Sequence, residues 1–566
     1  MAQNRIGRDH SRMIPHPVKL AAAVLAFGSA CAGGDERDST ELPKVSPARL
    51  EEHIRYLASD RLQGRGTGTP GYDSAARYVA ERFAVLGLDS AGTEGYFQPV
   101  PLRRARAVEG SSLILVGKSG RRGLTPYRDY VPSPDYLRRR VEVTAPLVVA
   151  GFGVTAPDRG YDDYRAVDPK GKIVVLLTGA PSSFAPAERA HYATPRLKFQ
   201  NAVRRGAIGV LVVRTRDQSF PWDRLTRQAR AGGMRWLDPK SEPADAFPRL
   251  RGIAILSDTG AARLFEGAPT SLAQVLSEAE AGKAPAFDLP LRATLRTVSV
   301  HERVESPNVA GLLRGTDPRL RDEVVVLSAH LDHLGVGEPV KGDSIYNGAL
   351  DNASGSAALL EVARAFAALP RPPRRSVLFL AVTGEEMGLL GSDYFAEYPT
   401  VPVDRIVADV NLDGLAVLYP LREMVPFGAE HSTLDSTVAR VAKRLDITLA
   451  PDPFPQEVFF VRSDQYSFVR RGVPSLFPFM GLRSDSGVDA AARFREWLAT
   501  RYHTPQDDIG QPMDFEAGAR HAQLGFLLGL EIANADQRPA WKIGDFFGRT
   551  FGRRAAAQTT TSSVTE

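Results

Sequence analysis

EVVVLSAHLDH, residues 323–333, opens with a continuous apolar run and closes on two histidines and an aspartate. A strand with one solvated face would alternate apolar and polar residues, so the unbroken run up to His330 predicts a strand buried on both faces. Downstream, GSAALLEVARAFAAL (355–369) reads as a helix, SVLFLAVT (376–383) and RIVADVNLD (405–413) as strands, and STLDSTVARVAKRLD (432–446) as a helix. SLFPFMG (475–481) gives a short strand and 515–535 a closing helix. Strands alternating with helices predict an α/β domain with a doubly wound, mostly parallel sheet.

Upstream, Ser46-Pro47 reads as a helix N-cap and first residue, followed by a stripe of Leu50, Ile54 and Leu57. A second amphipathic helix carries Ala75, Val79, Phe83 and Leu86, with Gly87 as its stop. GRGTGTPG (64–71) formally contains GxGxxG, but no strand precedes it and Pro70 interrupts it, so it is not a dinucleotide fingerprint. From about residue 140 the texture changes to short β runs, APLVVAGFGV, GKIVVLLTG and GAIGVLVV, with one helix near 194–205. His191 is the only histidine there, so this β-rich stretch reads as a non-catalytic module.

The 566 residues are 43% hydrophobic and 24% charged, which excludes wholesale disorder and a polytopic membrane protein. The net charge of +5 is concentrated at the start, where Arg5, Arg8, Arg12 and Lys19 face only Asp9; the rest holds 67 basic against 65 acidic residues. That balance argues against a nucleic-acid partner. Cys31 is the single cysteine, so no intrachain disulfide or cysteine-based zinc finger exists, and metal ligands are confined to His and carboxylates. LAAAVLAFGSA (20–30) has the length of a signal-peptide core and follows a basic segment. With Ser29 and Ala30 before Cys31 it resembles a bacterial lipoprotein signal, although Gly28 stands where Leu is usual. The expectation is an extracytoplasmic protein, anchored through a lipid at Cys31 and facing the periplasm, or secreted, with no other membrane contact.

In open α/β sheets, sites form beyond the carboxyl ends of the strands. His330 ends the first strand, Glu385 and Glu386 follow the second in TGEE, and Asp413 ends the third in NLD. Asp351, in GALDNASG before a helix, and His503, in RYHTPQDD, complete a set of candidate ligands with one glutamate to spare. Singly, each has an ordinary reading as a turn residue, helix start or surface histidine. Three strands delivering such groups to one edge do not. Neither HExxH nor a GxSxG nucleophile elbow occurs.

AHLDH, ALDNASG, TGEE, NLD and YHT, in this order, resemble the co-catalytic dizinc aminopeptidases and their glutamate-carboxypeptidase relatives. YLASDRLQGRGTGTPGYDSAARYVAERFAVLGL is similar to the opening of members that carry a protease-associated domain, and GYDDYRAVDPKGKIVVLL resembles that insert. The resemblance implies a zinc-peptidase fold divided into a signal peptide 1–30, a tether 31–45, an N-terminal part 46–135, the insert 136–295, the catalytic domain 296–540 and a tail 541–566. It implies two zinc ions bridged by Asp351, with His330 and Asp413 completing one position and Glu386 and His503 the other. Three carboxylates against two dications leave a centre near +1, which favours hydroxide. The peptide bond after Asp351 is expected in cis. Asp332 is expected to orient the His330 imidazole. Glu385 would act as general base, and Tyr502 would donate to the oxyanion. His333 has no ligand role in this scheme, because the five positions are filled. Gln465, where relatives often have His, and an apparent insertion over 484–500 are expected near the substrate pocket. The implied activity is peptide hydrolysis by an aminopeptidase. The alternatives are a glutamate carboxypeptidase-like enzyme, a single-zinc cyclase relative, or a receptor-like binding module that has lost its metal ligands.

Overall fold

The structure, a computed structural model, describes residues 41–552 apart from 119, 217–220 and 485–486. The predicted signal peptide, Cys31, most of the tether and residues 553–566 lie outside the described residues. Four strands form a parallel core in the order Ser376–Val382, Val324–His330, Ile406–Asn411 and Ser475–Met480. Every residue of these strands is buried, as the unbroken apolar run of 323–330 requires. Val324 and Val326 pack on one face with Phe395 and Phe468, from the helices Leu390–Glu397 and Gln465–Val469. Leu327 points the other way, onto Gly529 of the helix Phe515–Asn534 and close to Phe366 of Gly355–Ala367. The sheet is thus covered on both faces. Glu423–Phe427 closes one side of the sheet antiparallel to Ser475–Met480.

On the opposite side lies a 28-residue strand, Ala286–Leu313. Its second half pairs antiparallel with Ser376–Val382 and with Phe97–Ala107, while its first half pairs with Arg140–Ala150 and Ser112–Gly117. One strand therefore belongs to two sheets. The second sheet has its own parallel core of Arg140–Ala150, Ile173–Leu177, Gly209–Val213 and Ile253–Leu256, and its own apolar cluster around Val175, Leu211 and Leu256.

Residues 541–552 differ from the tail expected there. Trp541 Nε1 donates to Gly472 O at 2.9 Å, His431 Nδ1 lies 2.7 Å from Asp545 Oδ2, and 546–552 form a helical turn. Phe547 is fully buried, and Phe546 and Phe551 pack on His191 of the inserted module. Three aromatic side chains bury more apolar surface than a free segment would leave in water, which explains the docking. Among the described residues no helix is long and apolar enough to cross a membrane.

Candidate active site

Parallel register aligns the strand ends: His330 lies opposite Val382, and Ser328 opposite Asn411. The turns that follow place His330, Glu385, Glu386 and Asp413 together. Asp351 divides its carboxylate between two histidines. Its Oδ1 lies 3.3 Å from His330 Nε2 and its Oδ2 3.2 Å from His503 Nε2. His330 Nε2 is also 3.3 Å from Asp413 Oδ1, and His503 Nε2 is 3.0 Å from Glu386 Oε2. Ligand atoms 2.0–2.1 Å from a shared tetrahedral zinc ion stand about 3.3 Å apart, so the 3.0–3.3 Å spacings fit two cation positions sharing Asp351. His330 Nε2 and Glu386 Oε1 are buried and make no well-aligned hydrogen bond, a state that suits coordination. All five residues predicted as ligands are brought together.

The electrostatics agree. Burial would lower the pKa of His330, but Asp413, Glu385 and Asp351 raise it well above its ordinary value. Burial opposes His503 in the same way, and Glu386 and Asp351 lift it to about 9. Groups that hold a proton so firmly define a strongly negative potential, and a dication answers it better than a proton does. The adjacent glutamates separate. Burial, then the charges of Glu386, Asp413 and Asp464, push Glu385 well up against the opposing charge of His330. Glu386 is held low, to about 2, because His503 and His333 outweigh its burial. Neighbouring carboxyls driven apart in this way are suited to different roles.

Buried hydrogen bonds fix the loops. Asp507 accepts the backbone N–H of Leu350 on Oδ1 and of Asp351 on Oδ2, both at 3.0 Å. The Asp351–Asn352 peptide is cis, and Asn352 Oδ1 accepts from Gly355 N at 2.9 Å and Gly414 N at 3.1 Å, tying the Asp351 and Asp413 loops together. Arg65, within GRGTG, is fully buried and donates to the carbonyls of Leu57, Leu331, Asn347 and Gly348. Asp332, expected to orient the His330 imidazole, meets it chiefly through its backbone. His330 Nδ1 is 3.1 Å from the Asp332 carbonyl but 3.9 Å from its carboxylate, which instead accepts the N–H groups of Glu385 at 3.1 Å and Glu386 at 3.3 Å. The carboxylate thus orients the TGEE turn, and the backbone faces the imidazole.

Tyr502 and Glu385 line an apolar cavity of about 80 Å³ with Phe459, Phe479, Phe494 and Trp497. Arg462 Nη2 is 3.4 Å from the Tyr502 hydroxyl. Phe494 and Trp497 belong to the helix Ala490–Thr500, so the apparent insertion does reach the cavity. Gln465 does not. It is buried, accepting from Asn411 Nδ2 at 2.9 Å and donating to Phe460 O at 2.7 Å.

A larger channel of about 760 Å³ also opens on Glu385, Arg462 and Tyr502, and runs out past His191 and Phe551. The inserted module overhangs the centre: Gln228 Nε2 is 3.4 Å from His503 Nδ1, and the Arg224 guanidinium lies 5.6 Å from the Tyr502 ring centroid. No motif in Trp222–Ala231 signalled this reach; only the three-dimensional return of the insert creates it. His333, read as outside the ligand set, is buried with Nδ1 2.6 Å from Glu386 Oε1.

A zinc-peptidase-like α/β domain with a second domain built into its strand order is the class that this fold and site define. Residues 308–525 match the model of peptidase family M28, and residues 143–243 match that of the PA domain. It is 37% identical over 432 residues to Aminopeptidase NAALADL1 of Mus musculus, covering 65% of this chain and 53% of that protein. Transferrin receptor protein 2 of Homo sapiens is 27% identical over 406 residues, covering 65% of this chain and 45% of the receptor. The chain therefore spans about half the length of these relatives. The aminopeptidase from Aneurinibacillus sp. strain AM-1 shares the fold, with a TM-score of 0.54 at 19% identity, over 88% of this chain and 96% of that one.

Proposed function

We propose that the protein is a zinc-dependent aminopeptidase holding two zinc ions, exported from the cytoplasm. The observation that carries this reading is the split carboxylate of Asp351, one oxygen toward each histidine, with Glu385 beside it. His330, Asp413 and Asp351 would hold one ion; Asp351, Glu386 and His503 the other. Bound there, the ions supply Lewis acidity and lower the pKa of water. Glu385 takes the proton of the attacking water and passes it to the leaving amine. Tyr502, steadied by Arg462, donates its hydroxyl to the oxygen that becomes negative at the scissile carbonyl. Transferrin receptor protein 2 raises the alternative of a binding module; what favours a peptidase is the 3.0–3.3 Å approach of Asp351 and Asp413 to His330 and of Asp351 and Glu386 to His503. Export rests on LAAAVLAFGSAC, residues 20–31. A mature protein that begins at Met1 and stays in the cytosol would contradict it.

The cavity beside Glu385 takes the side chain of the residue removed. At about 80 Å³ it is well below the ~150 Å³ that accommodates benzene, so an aliphatic side chain of Leu or Val size fits better than an aromatic one. The test is an initial-rate panel of aminoacyl chromogenic substrates beside N-acylated dipeptides ending in Glu. Cleavage of free-amine substrates, with leucyl well ahead of tryptophanyl, is the expected outcome. Cleavage of the N-blocked series alone overturns the aminopeptidase reading in favour of the carboxypeptidase-like one.

A further inference from the structure

We infer that His333 is a sixth protein ligand of the metal centre, joining Asp351, Glu386 and His503 at the second position; the inference rests on the metal-centre reading above. His333 follows His330 by three residues in the same turn, and its N–H donates to Arg65 O at 3.2 Å. Gly348, at φ +58°, lies beside the imidazole. A Cβ there would come within 2.2 Å of the Asp351 carbonyl oxygen and 2.5 Å of the ring's Cγ, so only glycine leaves room for the ring where it stands.

The ring is fully buried, and neither of its nitrogens makes a well-aligned hydrogen bond. A buried imidazole whose nitrogens make no aligned hydrogen bond, with a carboxylate oxygen at 2.6 Å, is set as it would be beside a cation that both groups share. Nδ1 stands 2.6 Å from Glu386 Oε1, close enough for a charged pair, and neither atom makes a hydrogen bond elsewhere. One ring nitrogen of His333 and one oxygen each of Asp351 and Glu386 lie within 4.8 Å of one another, a spacing that one ion can span. Zinc expands to five-coordinate in some catalytic sites, so a second imidazole leaves room for substrate. The two positions then differ: one holds a single imidazole, the other two. Since imidazole is a good zinc ligand, the ion beside Glu386 is the more firmly held.

Direct ligation is read from the protein with cadmium in place of zinc and nitrogen-labelled histidine. Scalar coupling between metal and ring nitrogen at three histidines, one of them lost in His333→Gln, is expected. Coupling at two histidines only overturns the inference, and the count on the natural chain stands even if the variant fails to fold. Chelator competition gives a second readout without activity. His333→Gln should weaken the tighter of the two ions by at least about tenfold and leave the weaker one alone. An unchanged pair of affinities, or loss of the weaker ion, counts against His333. A natural chain that takes up no metal sinks the metal-centre reading, a different result from two ions and two coupled histidines.

Discussion

Glu385 and Glu386 are chain neighbours with opposite electrostatic fates, so substituting each should fail in its own way. Glu385→Gln leaves every predicted ligand in place. Metal content should stay near two ions while turnover falls by about 10²–10⁴, the share of a positioned general base. Glu386→Gln should lose zinc and activity together, with partial recovery in excess metal. Elemental analysis beside turnover separates the two; ordinary turnover in Glu385→Gln with both ions bound would require another base. At this scale the sequence was most readable for groups the sheet itself delivers. His330, Glu386 and Asp413 sit at strand ends, where period and strand direction fix their placement. The residues that hold them were not readable. Arg65 and Asp507 act through hydrogen bonds that span 266 and 156 positions along the chain, and no local pattern encodes such a contact. Asp332 was seen as a second carboxylate behind the site, but only the coordinates show that it serves the Glu385 and Glu386 amides.

Among elements, the apolar runs foretold the four core strands because burial on both faces leaves no alternation to misread. The segment 541–552 was opaque for the converse reason. Its phenylalanines, at 546, 547 and 551, stand among glycines and charged residues without a helix's length of periodicity, and the surfaces they meet come from residues 191, 431, 460 and 466. This short element is a fastener between the two domains. Phe547→Ala removes a fully buried ring from that junction and should cost about 3–5 kcal/mol of stability, the range for deleting a core aromatic. Thermal unfolding of the metal-loaded protein measures it. A loss below about 1 kcal/mol would mean that the segment is not integral to the folded unit.

For the whole molecule, the inserted domain and the peptidase domain meet over the channel to the centre, and His191 stands at that junction. Its Nδ1 is 2.6 Å from the Tyr466 hydroxyl, and Tyr192, Phe546 and Phe551 surround its ring. Burial, aided by the charge of Arg470, lowers its pKa from 6.5 to about 4. The folded protein therefore keeps His191 neutral over a range in which the unfolded chain binds a proton. The resulting stability is fully present above pH 6.5 and is lost as the pH falls through that value toward about 4. A shift of this size corresponds to about 3 kcal/mol. His191→Gln keeps a polar side chain there but cannot titrate. Natural chain and variant share every other acid-sensitive group, metal ligands included, so the gap between their melting temperatures isolates His191. That gap should favour the natural chain near neutral pH and shrink, or change sign, near pH ~4.5. A gap that stays constant across the range would mean that His191 titrates as it does in the unfolded chain, and that the interdomain junction is open to water rather than sealed by its aromatic rings.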